Sequence, residues 1–316
     1  FGAFTRLSDS GLGCPDWPGC YGAASPLGAR DEIQAAETAM PGGPVTWGKA
    51  WIEMIHRYLA MTVGVLILVM AVASWRRRDA VPHSPWWATA TLVWVIVQGL
   101  FGKYTVTLKL YPAVVTLHLM GGLALLALLA VQHEAYRERP RALAPSVRRL
   151  AWAVAALLGA QVALGGWVST NYAVLACSGF PTCNGAWWPE MALGEGFRVV
   201  RALGHRADGG LLSTEALVGI HMVHRMAAVI VLAALGLLAL WLWREARWRR
   251  YAIALAVLAV LQLATGLSNV VLGWPLAAAL LHTSGAAAMV AVLASLLARS
   301  AGDRPLPAAH AAMRAV

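Results

Sequence analysis

Two short stretches of the sequence share one pattern: Trp51-Ile-Glu-Met-Ile-His56-Arg57 and Gly219-Ile-His221-Met-Val-His224-Arg225. Each stands near the start of a long apolar segment, and one more histidine, His118 or His282, follows two apolar segments later. An ionisable side chain costs several kcal/mol inside a membrane, so histidines in such segments indicate a functional site. The repetition also indicates that the chain consists of two related halves.

The composition predicts a membrane protein. Of the 316 residues, 59% are hydrophobic and 13% are charged, which is too apolar for an ordinary soluble domain. The apolar residues occur in blocks long enough to cross a hydrocarbon core of about 30 Å as helices. The predicted fold class is an all-α polytopic membrane protein, with complete spans at 50–75, 86–108, 112–135, 150–170, 217–243, 251–273 and 276–298.

The basic residues indicate topology. A formal charge of +10 is compatible with nucleic-acid binding, but most of the Arg and Lys lie at one set of span ends. The positive-inside rule assigns those ends to the cytoplasm. The loop with Arg198, Arg201 and Arg206 is an exception, since long loops obey the rule poorly. No nucleic-acid partner is therefore expected, and the basic runs are Arg76–Arg78, 137–149, 244–250 and the tail from Arg299.

All four cysteines fall at the opposite span ends, as Cys14 with Cys20 and Cys177 with Cys183. That side would be the oxidising periplasmic or extracellular one, where disulfides persist. Four cysteines allow three connectivities, and the identical short spacing favours a bridge within each loop. A structural staple and a redox or docking role are both compatible with such a bridge.

Alignment of the sequence with itself reveals an internal duplication. Gly2–Cys14 pairs with Gly165–Cys177 at an offset of 163, and His118 pairs with His282 at an offset of 164. The pairing predicts an eight-helix bundle of two tandem four-helix repeats with pseudo-two-fold symmetry, comprising residues 1–140 and 141–316. The first helix is expected to be mostly missing, because Phe1 aligns with the last turns of the span at 150–170.

The histidines pair within each repeat. His56 and His118 lie at similar depths near the outer ends of two spans, as do His224 and His282. One histidine from each of two helices in a four-helix bundle is the usual way to ligate a haem iron on both faces. A satisfied buried histidine explains a single case but not four in register. Zinc or copper is a weaker alternative, because no cysteine or carboxylate cluster accompanies the pairs except Glu53.

The two sites differ at one position. Glu53 precedes His56 by three residues and therefore lies on the same helix face, whereas its counterpart is His221. A carboxyl in an apolar site suits proton transfer near neutral pH, so the first site is predicted to be the reactive one. The alternative for Glu53 is an ion pair, with Arg57 for example. Arg57 and Arg225, each next to a histidine, are candidate partners of haem propionates.

These motifs together resemble the haem A synthase family of cytochrome oxidase biogenesis. The resemblance is carried by Thr5-Arg-Leu-Ser-Asp-Ser-Gly-Leu-Gly-Cys-Pro-Asp-Trp-Pro, by Glu53-x-x-His56-Arg57, and by the other three histidine positions. It runs across essentially the whole chain and implies an eight-helix duplicated bundle. The implied reaction oxidises the C8 methyl group of haem O to a formyl group, giving haem A.

The resemblance also implies residue roles and partners. His56 and His118 would hold haem O or the product, Glu53 would be the catalytic carboxylate, and the cysteine pairs would be two outer-loop disulfides. His224 and His282 would hold a permanent haem b. The implied location is the bacterial plasma membrane, with the cysteine loops on the periplasmic or extracellular side. Haem O synthase and an electron donor are expected partners besides the lipid, and a homo-oligomer is compatible with the sequence.

Two other functions remain open from the sequence. A dihaem electron carrier resembling a membrane cytochrome b would use both histidine pairs without chemistry of its own. A haem-transfer assembly factor would use the cysteine loops for docking. Glu53 discriminates against the carrier, because electron transfer alone gives no reason for a carboxyl beside only one pair.

Overall fold

The computed structural model describes residues 1–80, 83–137 and 142–300, and within these ranges the chain folds into helices and loops without a β-strand. The basic tail after Ser300 and part of the basic run at 137–149 lie outside them. The helices are α1 (Gly2–Leu7), α2 (Arg30–Ala39), α3 (Trp47–Arg76), α4 (Trp86–Thr107), α5 (Pro112–Arg137), α6 (Pro145–Thr170), α7 (Leu193–Gly196), α8 (Thr214–Trp243), α9 (Arg249–Val271) and α10 (Leu276–Arg299).

The seven predicted spans coincide with α3, α4, α5, α6, α8, α9 and α10. Six of the described helices, all of these except α4, are both long and apolar enough to cross a membrane. Several helices begin a few residues earlier than predicted because of local capping. Thr46 accepts the Lys49 N–H at 3.3 Å, Ser213 accepts the Ala216 N–H at 3.2 Å, and Pro145 occupies the first turn of α6.

The helices pack in the same order in both halves. In the second half α6 packs on α8, α8 on α9, α9 on α10, and α10 on α6. In the first half α1 packs on α3, α3 on α4, and α4 on α5. Helices α5 and α10 pack against each other, and α5 contacts α6 as α10 contacts α1. This arrangement is that of a bundle with α5 and α10 at its centre.

Equivalent residues of the two halves touch each other at the outer ends of α1 and α6. Arg6 donates to the carbonyl of Ser169 at 2.6 Å, and the Tyr172 hydroxyl donates to Asp9 at 2.6 Å. Partial burial raises the pKa of the Tyr172 hydroxyl, which keeps that donor protonated. Both contacts join residues 163 positions apart, which is the offset of the duplication. A residue that meets its own counterpart lies on the symmetry axis, so the pseudo-two-fold axis passes between α1 and α6.

The largest buried apolar cluster fills the second half, between α6, α8, α9 and α10. Its fully buried members include Leu235 and Leu238 on α8, Leu255 on α9 and Leu293 on α10. Residues on the opposite face of α8 are exposed, as expected for a helix in contact with lipid. Leu240, for example, is 67% exposed.

Leu238→Ala should lower the free energy of unfolding by about 2–5 kcal/mol, because the cavity cannot refill. Leu240→Ala, two residues away on the exposed face, should change it by less than about 0.5 kcal/mol. Unfolding of both variants in detergent micelles measures the difference. Equal destabilisation by the two variants would show that the core is not where the structure places it.

Candidate functional site

The four predicted histidines lie on four different helices and meet in two pairs. His56 is on α3 and His118 on α5, whereas His224 is on α8 and His282 on α10. All four are partly buried. The rings of His56 and His118 are close enough to interact electrostatically, and so are those of His224 and His282.

Each histidine ring rests against a glycine of a neighbouring helix. A Cβ at Gly2 would lie 2.9 Å from Cε1 of His56, and one at Gly165 would lie 3.1 Å from Cε1 of His224. The other two contacts repeat the pattern across the duplication. A Cβ at Gly102 would lie 3.4 Å from Cε1 of His118, and one at Gly266 would lie 3.2 Å from Cε1 of His282. A Cβ would be too close to the ring at Gly2, tight at Gly165 and Gly266, and in ordinary contact at Gly102. The glycines therefore let the neighbouring backbones approach the imidazoles closely.

The sequence reasoning recognised only part of this arrangement. Gly102 and Gly266 are equivalent at the same offset of 164 that relates His118 to His282, but the alignment alone does not link them to a histidine. Gly2 and Gly165 open the aligned segments, and nothing in that alignment assigned them a role. The available signal was a glycine in both copies of the repeat, one helix away from a histidine.

In the second pair, both rings have a hydrogen-bonding partner at Nδ1. The hydroxyl of Thr265 lies 3.0 Å from Nδ1 of His282, and the side-chain amide of Gln161 lies 3.1 Å from Nδ1 of His224. Gln262 further fixes α10 by donating to the carbonyl of His282 at 2.8 Å. An imidazole engaged at Nδ1 presents Nε2 to a ligand or metal, so these neighbours orient the rings. None of the three was singled out as a site residue from the sequence.

The first pair has fewer such partners. Nδ1 of His118 is buried and has no hydrogen bond among the described residues. The backbone of Gln98 approaches His118 as that of Gln262 approaches His282, but no hydrogen bond of normal geometry forms at Nδ1 of His118. Gln98 is itself buried and packs beside Gly121, as Gln262 packs beside Gly285. The two pairs therefore share a backbone arrangement and differ in the polar groups around it.

Glu53 is held by two donors at the outer end of α3. Oε2 accepts the Cys14 N–H at 2.7 Å, and Oε1 forms an ion pair with Arg57 at 2.5 Å. The Glu53 residue is only 3% exposed. The ion pair with Arg57 is the alternative considered from the sequence, and it coexists with a position on the same helix face as His56. A carboxylate with fixed oxygens is thus placed one turn from the first histidine pair.

Arg57 and Arg225 hold the cysteine loops. Arg57 donates to the carbonyls of Cys14 at 3.2 Å and Pro18 at 3.2 Å, and also to that of Gly19. Arg225 donates to the carbonyls of Cys177 at 2.8 Å and Thr182 at 3.2 Å. The expected pairing of these arginines with haem propionates stays a prediction.

The cysteine loops have the same shape in both halves. Disulfides join Cys14 to Cys20 and Cys177 to Cys183. The N–H of Cys20 donates to Ala23 at 2.9 Å, as that of Cys183 donates to Ala186 at 2.9 Å. Each loop closes over the outer end of the helix that carries the His-Arg motif.

His221 occupies the place of Glu53 in the second half. It is 4% exposed, and its Nδ1 has no partner among the described residues. The loop above it approaches through Sγ of Cys177, which lies 3.7 Å from Sδ of Met222. The second pair therefore has no carboxylate where the first pair has one.

No group of three or more His, Cys, Asp or Glu side chains placed to hold a metal ion occurs within 1–80, 83–137 and 142–300. The histidines come as pairs, each with a glycine beside each ring. Two imidazoles are the protein ligand set of a bis-histidine haem.

Comparisons with a family model and with individual known proteins agree on one family, and they cover most of the chain. The COX15-CtaA family model, described as cytochrome oxidase assembly protein, matches residues 1–294. A protein of Shewanella oneidensis named heme A synthase is 38% identical over 93% of this chain and 90% of its own length. A protein of the same name from Sphingopyxis alaskensis is 31% identical over 94% of this chain and 86% of its own length. Another, from Shouchella clausii, is 28% identical over 82% of this chain and 76% of its own length.

The match to the family model extends over both histidine pairs, both cysteine loops and the long helices as far as residue 294 in α10. The chain belongs to the COX15-CtaA family of cytochrome oxidase assembly proteins.

Proposed function

We propose that this protein is a haem A synthase, which oxidises the C8 methyl group of haem O to a formyl group. The relatives named heme A synthase support this activity. The observation in the chain that carries it is the duplicated histidine pair with a buried carboxylate, Glu53, beside only one copy. Each hydroxylation of the methyl group consumes either dioxygen with two electrons and two protons, giving water, or water with release of two electrons and two protons. Two such steps give a gem-diol, and loss of water leaves the aldehyde.

The residues around both pairs fit a haem. Each imidazole lies against a glycine, which leaves room for the ring beside the neighbouring backbone. His118 retains a buried Nδ1 without a partner, and the Nδ1 atoms of His224 and His282 are engaged by polar side chains. Since iron binds through one ring nitrogen, Nε2 is the atom left for it in the second pair. The amide nitrogen of Gln161 lies 3.1 Å from Nδ1 of His224 and donates to the His224 carbonyl at 3.2 Å, so binding of iron at Nε2 of His224 requires this amide to turn away from Nδ1.

We assign His56 and His118 to the substrate, haem O, in the repeat formed by residues 1–140. Glu53 is the proton acceptor of this site. Its oxygens are fixed by the Cys14 N–H and by Arg57, so the carboxylate is oriented before substrate arrives. The cysteine loop thus contributes to the site by positioning Glu53.

We assign His224 and His282 to a resident haem b in the repeat formed by residues 141–316. When bound, this haem would supply electron transfer to or from the first site. Gln161 and Thr265 orient the two rings. His221 gives this site no acidic group, which fits an electron-transfer role without proton abstraction.

The exposed apolar faces of the helices indicate a multi-pass membrane protein, and the relatives named above are bacterial. We place the protein in the plasma membrane with the cysteine loops outside. Arg57 and Arg225 tie these loops to the N-terminal ends of α3 and α8, whereas Arg76 and Arg244 stand at the opposite ends. A handover complex with haem O synthase, an electron donor and a homo-oligomer are further proposals.

Pigment extraction from the purified protein, followed by chromatography, tests the proposed function. We expect haem b together with haem O or haem A. Haem b as the sole pigment at both pairs would favour the dihaem electron carrier.

Haem O or A should disappear in His118→Ala, and haem b in His282→Ala, because each variant removes one axial ligand.

Glu53→Gln should lower the rate of haem A formation by about 100-fold or more, because proton transfer by a positioned group contributes that much. The amide keeps the shape of the side chain, so haem b content should not change. His221→Gln, at the equivalent position of the second half, is the matched control. Haem A formed at the normal rate by Glu53→Gln would remove this residue from the mechanism.

Gly165→Val should reduce the haem b content of the purified protein, because the new side chain occupies the space of the His224 ring. Gly159→Val, on the same helix, meets no other atom within 4 Å of its Cβ position and should retain haem b. Absorbance of the reduced haem per mole of protein measures both. Full haem b in Gly165→Val would show that this glycine does not set the ring position.

A further inference from the structure

The two histidine pairs differ at one equivalent position on α4 and α9. Thr265 precedes Gly266 in the second half, and the residue before Gly102 in the first half is Phe101. Both glycines contact the histidine of the following helix, His282 or His118. Thr265 places a hydroxyl beside the ring of His282, and the equivalent residue of the first half, Phe101, has no hydroxyl to offer.

The geometry of Thr265 fixes the tautomer of His282. Its hydroxyl has one hydrogen, and that hydrogen is directed to the carbonyl of Leu261 at 2.7 Å. The same oxygen lies 3.0 Å from Nδ1 of His282, so there it accepts a hydrogen bond. Nδ1 of His282 must then carry the proton, and Nε2 keeps a free lone pair.

The side chain of Thr265 is held in place by its surroundings. Thr265 is 6% exposed, and its bond to the Leu261 carbonyl is the usual i−4 contact of a helical threonine. The nearby carbonyl of His282 is fixed by Gln262. The ring of His282 is thus constrained by a glycine at Cε1, a hydroxyl at Nδ1 and an amide at its backbone.

His118 lacks this constraint. Phe101 offers no hydrogen-bond acceptor from its side chain, and Nδ1 of His118 has no partner among the described residues. The ring contacts Gly102 and is approached by the backbone of Gln98, but no side-chain hydroxyl holds its Nδ1 as Thr265 holds that of His282. A ligand without such support binds metal more weakly, by about 10- to 100-fold in known metal sites.

We propose that Thr265 is a positioning residue that makes His282 a permanent haem ligand, and that Phe101 leaves His118 as the ligand that exchanges. This inference rests on the proposed function, in which one site must release its haem as product and the other must keep its cofactor. A single hydroxyl then separates a retaining site from an exchanging one. The acceptor at Nδ1–H also increases the electron donation of the His282 imidazole, which stabilises the ferric state of the haem.

Thr265→Val tests the proposal, because valine keeps the shape of threonine and removes the hydroxyl. Transfer of haem b from the purified protein to excess apomyoglobin should become about 10-fold faster or more. The reduction potential of haem b should rise, since the ferric state loses its stabilisation. Thr265→Ser, which restores the hydroxyl, should restore both slow transfer and the lower potential.

Thr283→Val is the matched control. Thr283 is adjacent to His282, and its hydroxyl bonds to the carbonyl of Ala279 at 3.0 Å. Loss of that hydroxyl should leave haem b transfer and potential unchanged. Phe101→Thr is the reciprocal variant, and it should slow the transfer of haem O or haem A from the first site.

The outcomes separate this inference from the proposed function. If haem b is present, and lost in His282→Ala, yet Thr265→Val retains it with unchanged potential, the inference alone is overturned. Equal effects of Thr265→Ser and Thr265→Val would also overturn it, because the hydroxyl would then not be the cause. Absence of haem b from the unsubstituted protein would overturn both.

Discussion

The close approach of imidazole rings to glycines is the contact on which the rest of the bundle depends. Each of the four rings fills the space that a side chain on the neighbouring helix would take. The neighbouring helix backbones can therefore approach the imidazole rings closely. Because the same contact occurs four times, it fixes α3, α5, α8 and α10 relative to the helices beside them. Close packing drives helix association in a membrane. The glycine–imidazole contacts therefore contribute to the stability of the bundle and also position the histidine rings.

The outer loops are part of the same construction. Arg57 follows His56, and Arg225 follows His224. Each of these arginines donates hydrogen bonds to carbonyls of the cysteine loop in its own half. The loop in turn supplies the N–H that fixes Glu53. Changes in the loops are thus transmitted to the site by direct hydrogen bonds. The loops and the membrane helices act as one unit.

The duplication supplies two similar histidine pairs, which we propose hold haem, and a few substitutions give their surroundings different chemistry. Glu53 stands where the second half has His221, and Phe101 stands where it has Thr265. The first replacement places a carboxylate beside the pair assigned to the substrate. The second removes the hydroxyl that would orient a histidine. Together they describe a site that reacts and exchanges beside a site that retains its cofactor.

The sequence by itself determined the helical membrane fold, the seven long helices and the pairing of the histidines. These follow from apolar blocks and from an internal repeat, both of which are local or periodic signals that need no knowledge of contacts. The tertiary structure alone decided that Arg57 and Arg225 hold loop carbonyls, that Glu53 binds the Cys14 N–H, and that Thr265 and Gln161 reach the imidazoles. Each of these contacts joins residues on separate segments of the chain, and it forms only when the helices take a particular rotation about their axes. Sequence spacing gives the face of one helix, but the partner facing it is fixed only when the helices pack.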